Sequence, residues 1–204
     1  MNHESCGGIV LAGGKSTRMG TSKALLPFGP ETMLQRVVRL LGTVASPIVV
    51  VAAPGQELPP LPADVIVTQD EREGRGPLEG LRAGLKALPM RPAAAYVTSC
   101  DVPLLVPAFV TQMLELSNGF DAAVMEIDGF PHPLSAIYSR STLPHVEDLL
   151  AHDRLRPVFL YERVNTRKVR PGEITSDPVL QTLRNLNTRE DYEQALAAAG
   201  LGHK

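Results

Sequence analysis

The chain has 204 residues, 20 basic and 22 acidic side chains, a formal net charge of −2, and 44% hydrophobic against 21% charged residues. That is the balance of a globular protein with a sizeable core, and it excludes a basic field for wrapping nucleic acid. Two cysteines, Cys6 and Cys100, are too few for a disulfide framework or a zinc cage. No early apolar run reaches bilayer length and no signal-peptide pattern precedes Gly8, so one soluble, cytoplasmic domain without a membrane partner is expected.

The first predicted element is a buried strand over 9–12, which empties into Gly13-Gly14. Two glycines allow a tight turn and bring backbone N–H groups against an anion. Lys15, Arg18 and Lys23 follow in a stretch with no apolar period of its own. Strand, glycine turn and basic loop together suit a polyphosphate better than a core. After a short apolar segment at 24–28, Thr32 is the expected N-cap of a helix whose buried face is Met33, Leu34, Val37, Val38 and Leu41. The β-branched run 48–52 reads as a strand covered on both faces. Residues 54–62 are proline-rich loop, and 65–67 a short third strand.

Asp70 then precedes Gly74-Arg-Gly-Pro-Leu-Glu-Gly80. Pro77 suits the first turn of a helix whose inner face is Leu78, Leu81, Leu85 and Leu88. The glycine spacing is wrong for a dinucleotide fingerprint, and a glycine-lined helix start open to a base or ribose is the better account. The next strand, 93–98, ends in Ser-Cys-Asp101-Val-Pro. Asp101 is either a turn residue or a carboxylate at the ligand-binding end of an open α/β sheet. Cys100 beside it reads as buried filler rather than as a nucleophile.

A helix is predicted over 107–116. A strand over 122–127, a turn at Asp128-Gly129 and a return strand over 130–138 follow as a hairpin. His132, flanked by prolines, is either a structural hydrogen-bonder or a site residue. Further predictions are a helix over 142–151, another over 153–161, and a basic strand over 166–170. Arg154 and Arg156 are placed either against an anionic acceptor or on a solvated helix end. His145 and His152 lack the spacing of a zinc motif and read as surface residues. Thr188 and Asp191 form a capping box for a C-terminal helix with the face Tyr192, Ala195, Leu196 and Ala199. Alternating strands and helices indicate a three-layer α/β/α Rossmann-like domain with a mainly parallel sheet and a small β-hairpin lobe.

The stretch from Leu11 to Gly20, L-A-G-G-K-S-T-R-M-G, with Lys23, resembles the signature of Rossmann-like nucleotidyltransferases, above all the molybdenum cofactor guanylyltransferases. Three further motifs follow in that family's order: G-P-L-x-G at Gly76, Pro77, Leu78 and Gly80; C-D-x-P at Cys100, Asp101 and Pro103; and N-x-N-T at Asn185, Asn187 and Thr188. The resemblance implies Mg2+-dependent transfer of GMP from GTP to the phosphate of molybdenum-bound molybdopterin. It implies a nucleotide site made by Leu11, Ala12, Gly13, Gly14, Lys15, Lys23, Asp70, Gly76, Pro77, Leu78 and Gly80. Arg18, Lys23 and Asp101 would be catalytic, Asp101 and Asn187 would hold Mg2+, and His132, Pro133 and Asn185 would border the acceptor. It also implies a nucleotide-binding part at 8–121, an acceptor-side part at 122–187 and a C-terminal helix at 188–200 of a single domain, with cofactor-delivering or cofactor-receiving proteins as partners.

The chain departs from the pattern twice. Ser22 stands where an acidic residue often precedes the lysine, and the segment after the second strand holds Gln56 but no Asn to read guanine. Base choice would then rest on Asp70, backbone groups or Gln56. The alternatives are a cytidylyltransferase of the same cofactor, a transferase for another phosphorylated acceptor, or a nucleotide-binding regulator without turnover. The intact loop cations and Asp101 argue against the last.

Overall fold

A computed structural model describes residues 6–13 and 22–202. The loop residues Gly14, Lys15 and Arg18 lie outside the described residues.

β1 (Gly7–Leu11) is the hub of the molecule. It pairs in parallel with β4 (Ile48–Ala52) on one side and β6 (Ala94–Ser99) on the other. β5 (Ile66–Gln69) adds in parallel beyond β4 as an edge strand, one to two residues later than expected. Beyond β6 the hairpin of β7 (Ala122–Ile127) and β8 (Phe130–Ser139) continues the sheet, β8 pairing antiparallel with both β6 and β7. β9 (Thr166–Val169) closes that edge in parallel with β7, giving the order β5-β4-β1-β6-β8-β7-β9. A separate two-stranded sheet joins β2 (Pro27–Phe28) and β3 (Glu31–Thr32). Most ladders of the large sheet are parallel, as the strand–helix alternation predicts.

Successive strand residues point to opposite faces, and each face has its own helices. Val10, Val50, Tyr96 and Ile137 pack on one side against α1 (Met33–Leu41) and α3 (Pro107–Leu116), through Leu34, Val37, Phe109 and Met113. Ile9, Val49, Val97 and Tyr138 pack on the other against α2 (Pro77–Ala87) and α4 (Leu143–Ala151), through Leu81, Leu85, Val146 and Leu149. All five residues of β4 are buried, the reason its apolar run is unbroken. Thr32 caps α1 as expected: Gln35 N–H donates to its hydroxyl at 3.3 Å, and Thr32 N–H donates back to Gln35 Oε1 at 2.8 Å. A third cluster, Phe28, Met33, Leu104, Leu186 and Ala195, seats the C-terminal helix α6 (Arg189–Ala198) beside the small sheet. No described helix is long and apolar enough to cross a membrane.

Two expectations change. The hairpin near 122–138 is built into the large sheet along its inner half. Its tip, from Glu126 to Pro131, lies beyond the last β6 pair at Val97 and the last β9 pair at Met125. A helix over 153–161 does not form as one unit: only α5 (Val158–Tyr161) is helical. Asp153 has a φ of 53°, and residues 154–156 carry no regular structure; a proline disfavours the helical conformation at the residue before it, here Arg156.

Candidate active site

Chain order in the sheet fixes where a ligand binds. The chain leaves β1, builds β4 and β5 outward on one side, then returns to lay β6 on the other, so the order reverses at the β1/β6 boundary. Beyond the carboxyl ends of such strands is the crevice that open α/β sheets use for ligands. A cleft of about 670 Å3 lies there. Its floor is tied down by backbone bonds: Cys100 N–H donates to Leu11 O at 3.1 Å, and Ala12 N–H donates to Val51 O at 2.8 Å.

The cleft gathers residues that are distant in sequence. Leu11, Ala12 and Gly13 come from the end of β1, Asp101 from the end of β6, and Lys23 from the 3-10 turn Lys23–Leu25. Gly76, Pro77 and Gly80 form the wall made by the start of α2, Asp70 joins them from the end of β5, and Leu134 and Asn185 also line the cleft. Leu78 lies buried in the core beneath that wall. Among the described residues, His132 and Pro133 do not line the cleft, although Leu134, which follows them, does. Burial holds the His132 imidazole below its usual range and so favours the neutral ring.

Two cleft-lining residues, Lys23 and Asp101, meet Asn187, which is not itself among the lining residues, in a three-residue contact. Lys23 Nζ donates to Asp101 Oδ2 at 2.8 Å and to Asn187 Oδ1 at 2.9 Å. Ser99 Oγ donates to the other Asp101 oxygen at 2.5 Å. Lys23 and Asp101 keep 19% and 18% side-chain exposure, enough for a ligand to reach both. Asn187 is placed by two separate restraints. Leu186 N–H donates to Asp101 O at 2.9 Å, and the Asp191 carboxylate accepts from Asn187 N–H at 3.1 Å and Thr188 N–H at 2.9 Å. These donors hold the Asp191 carboxyl below the usual carboxylate range. The capping box of α6 therefore also presents Asn187 to Asp101. Their two oxygens converge on a single cation, and a carboxylate with a neutral oxygen donor is a set that fits Mg2+ once phosphate and water complete it.

The electrostatics sort the remaining candidates. Burial, then the neighbouring Glu79 charge, pushes the Asp70 carboxyl up from 3.8 to about 6, with Arg82 opposing. Burial pushes the Cys100 thiol up to about 12, so it stays protonated and unsuited to nucleophilic attack. Gly76 caps α2 with a φ of 74°, a conformation that other residues rarely take. Gly80 has a packing reason as well as a place in the cleft: a Cβ there would lie 2.9 Å from both Leu11 methyl carbons.

Two supports lie outside the residues singled out from the sequence. Tyr138 donates to Pro133 O at 3.0 Å and pairs with Tyr161 at 2.8 Å between hydroxyls, which holds the bulged segment that carries Leu134. Ser99 stands two residues before Asp101 at a strand end, the spacing that puts both side chains on one face, and that spacing is the signal that points to it.

A family model described as MobA-like NTP transferase domain matches residues 8–166. A protein of Methanosarcina acetivorans named probable molybdenum cofactor guanylyltransferase is 38% identical over 205 residues, covering 93% of this chain and 89% of the relative. One of the same name from Mycobacterium avium is 36% identical over 196 residues, covering 94% and 95%. Among solved structures, molybdopterin-guanine dinucleotide biosynthesis protein A from Archaeoglobus fulgidus superposes with a TM-score of 0.76 over 94% of this chain and 97% of its own. At 20% identity that likeness shows the fold.

Proposed function

Because this chain belongs to the MobA-like NTP transferase family, we propose that it transfers GMP from GTP to the phosphate of molybdenum-bound molybdopterin, giving the guanine dinucleotide form of the cofactor. An acceptor phosphate oxygen forms a bond to the α-phosphorus, the bond to the bridging oxygen of the β-phosphate breaks, and pyrophosphate leaves with that electron pair. The observation that carries this reading is the meeting of Lys23, Asp101 and Asn187, 164 positions apart along the chain at their widest, at the ligand-binding end of the sheet.

In this reading the protein positions two phosphorylated substrates and neutralises charge, the main contribution of protein to phosphoryl transfer. The turn at Gly13 and the glycine-lined start of α2 allow close approach of the triphosphate and the nucleoside. Lys23 exchanges its carboxylate and amide partners for the β- and γ-phosphates, and offsets the negative charge that grows on the leaving pyrophosphate. Lys15 and Arg18 add two cations from the same loop. Mg2+, held by Asp101 and Asn187, would screen the phosphate oxygens and make the α-phosphorus more electrophilic. Ser99 keeps the Asp101 carboxylate oriented. Leu134 and Asn185, with His132 and Pro133 behind them, form the acceptor side.

The test is a transfer assay with GTP, Mg2+ and molybdenum-loaded molybdopterin, reading pyrophosphate and the dinucleotide product. Lys23→Ala and Asp101→Ala are expected to lower turnover by about a hundredfold or more while melting like the parent protein, the loss typical when a transition-state electrostatic partner is removed. Near-normal turnover in either variant would refute the role assigned to it.

A further inference from the structure

Gln56 stands where the sequence leads one to look for a guanine-reading side chain, and its contacts point elsewhere. Its Nε2 donates to Ala12 O at 2.9 Å and to Ser22 Oγ at 3.3 Å, while its Oε1 accepts from Ala53 N–H at 2.9 Å. Both amide donors and one acceptor position are thus engaged by protein. The amide orientation is fixed, because a carbonyl can meet only the NH2 group and a backbone N–H only the oxygen. Gln56 is not among the cleft-lining residues, whereas Ala12, Gly13, Ser22, Lys23 and Ala53, on or beside its three partners, all are.

The three partners belong to three segments. Ala12 is the end of β1, Ala53 follows the end of β4, and Ser22 immediately precedes Lys23. The turn that carries Gln56 is rigid in its own right: Gln56 N–H donates to Ala53 O at 3.1 Å, and Gly55 has a φ of 71°. A side chain on this turn therefore sets the distance between the glycine turn at residue 13 and the ammonium that meets Asp101. Ser22 and Gln56 are also the two positions at which the chain departs from the pattern it resembles, and here they bond to each other.

We propose that Gln56 is a positioning residue for the phosphates: it fixes Lys23 and Gly13 relative to one another and does not read the base. This rests on the nucleotidyltransferase reading above. A residue that acts through the phosphate partners affects every triphosphate alike, whereas a base reader affects GTP against other nucleotides.

The experiment is titration calorimetry of the full chain with Mg2+ and, separately, GTP, ATP and inorganic tripolyphosphate. It compares the parent protein with Gln56→Ala, Gln56→Met and Ser22→Ala. Losing the two Nε2 bonds is expected to weaken all three ligands by a common factor of roughly tenfold in Gln56→Ala, with the GTP-to-ATP ratio unchanged. Gln56→Met keeps the volume without the hydrogen bonds, and it is expected to lose as much. Ser22→Ala, which removes only the longer bond and leaves the 53–56 turn intact, is expected to lose about threefold in the same pattern. Unchanged tripolyphosphate affinity, a collapsed GTP-to-ATP ratio, or full binding in Gln56→Met would each overturn the proposal. A parent protein that binds none of the three would instead overturn the nucleotidyltransferase reading, and this proposal with it.

Discussion

At the scale of single residues, the site depends on charges held near water but not in it. Asp70 is the clearest case. Its raised pKa means that the folded chain takes up a proton more readily than the unfolded one between about pH 4 and 6. Ionised Asp70 therefore costs stability, fully above about pH 6 and not at all below about 4. Asp70→Asn is expected to raise the urea midpoint at pH 8, with the gain shrinking toward pH 5; a gain that grows as the pH falls would contradict the assignment. The sequence offered Asp101 through a local signal, a carboxylate at a strand end, and Asn187 only through the terminal motif it shares with the family; the structure brings the two together on Lys23. It did not expose the roles of Tyr138 and Gln56. Those are set by partners in other segments, and no local spacing encodes a hydrogen bond across 34 or 44 positions.

At the scale of elements, α2 carries the wall of the cleft and must lie close on β1. Two glycines one helical turn apart make that contact: a Cβ on Gly84 would fall 2.5 Å from Ile9 Cγ2, and one on Gly80 would fall 2.9 Å from Leu11. Ile9 is fully buried in mid-sheet, whereas Leu11 borders the cleft and has room to move. Alanine gains about 1 kcal/mol of helix propensity at either site, against roughly 1–3 kcal/mol for overpacking a rigid neighbour. Gly84→Ala is thus expected to lower stability by up to about 2 kcal/mol in urea denaturation, and Gly80→Ala to change it much less. Equal midpoints for the two would show that Ile9 yields as easily as Leu11. Helix faces were the most legible part of the fold: the five residues predicted for the inner face of α1 are the five that are buried. The segment 153–161 was the least legible. It was expected as one helix, but Asp153 is left-handed and only Val158–Tyr161, after the proline at 157, is helical.

At the scale of the whole molecule, function follows from topology before it follows from any side chain. The chain reverses its direction of building across β1, and the residues proposed to hold phosphates and metal come from strand ends and turns beside that reversal. The alternation of strands and helices foretold the layers. It did not foretell that the hairpin at 122–138 would join the main sheet, because a hairpin's pairing beyond its own two strands leaves no local mark. The C-terminal segment joins the site, since α6 packs on Phe28 of the small sheet and Met33 of α1 while its cap brings Asn187 to Lys23. Nucleotide binding is therefore expected to stabilise the molecule globally, joining segments from residue 11 to residue 187. The most direct measurement is the melting temperature with GTP, CTP, ATP or UTP, each with and without Mg2+. Ligand that binds the native state must raise it. The account predicts a Mg2+-dependent rise that is largest with GTP; a rise largest with CTP, or none with any nucleotide, would contradict it.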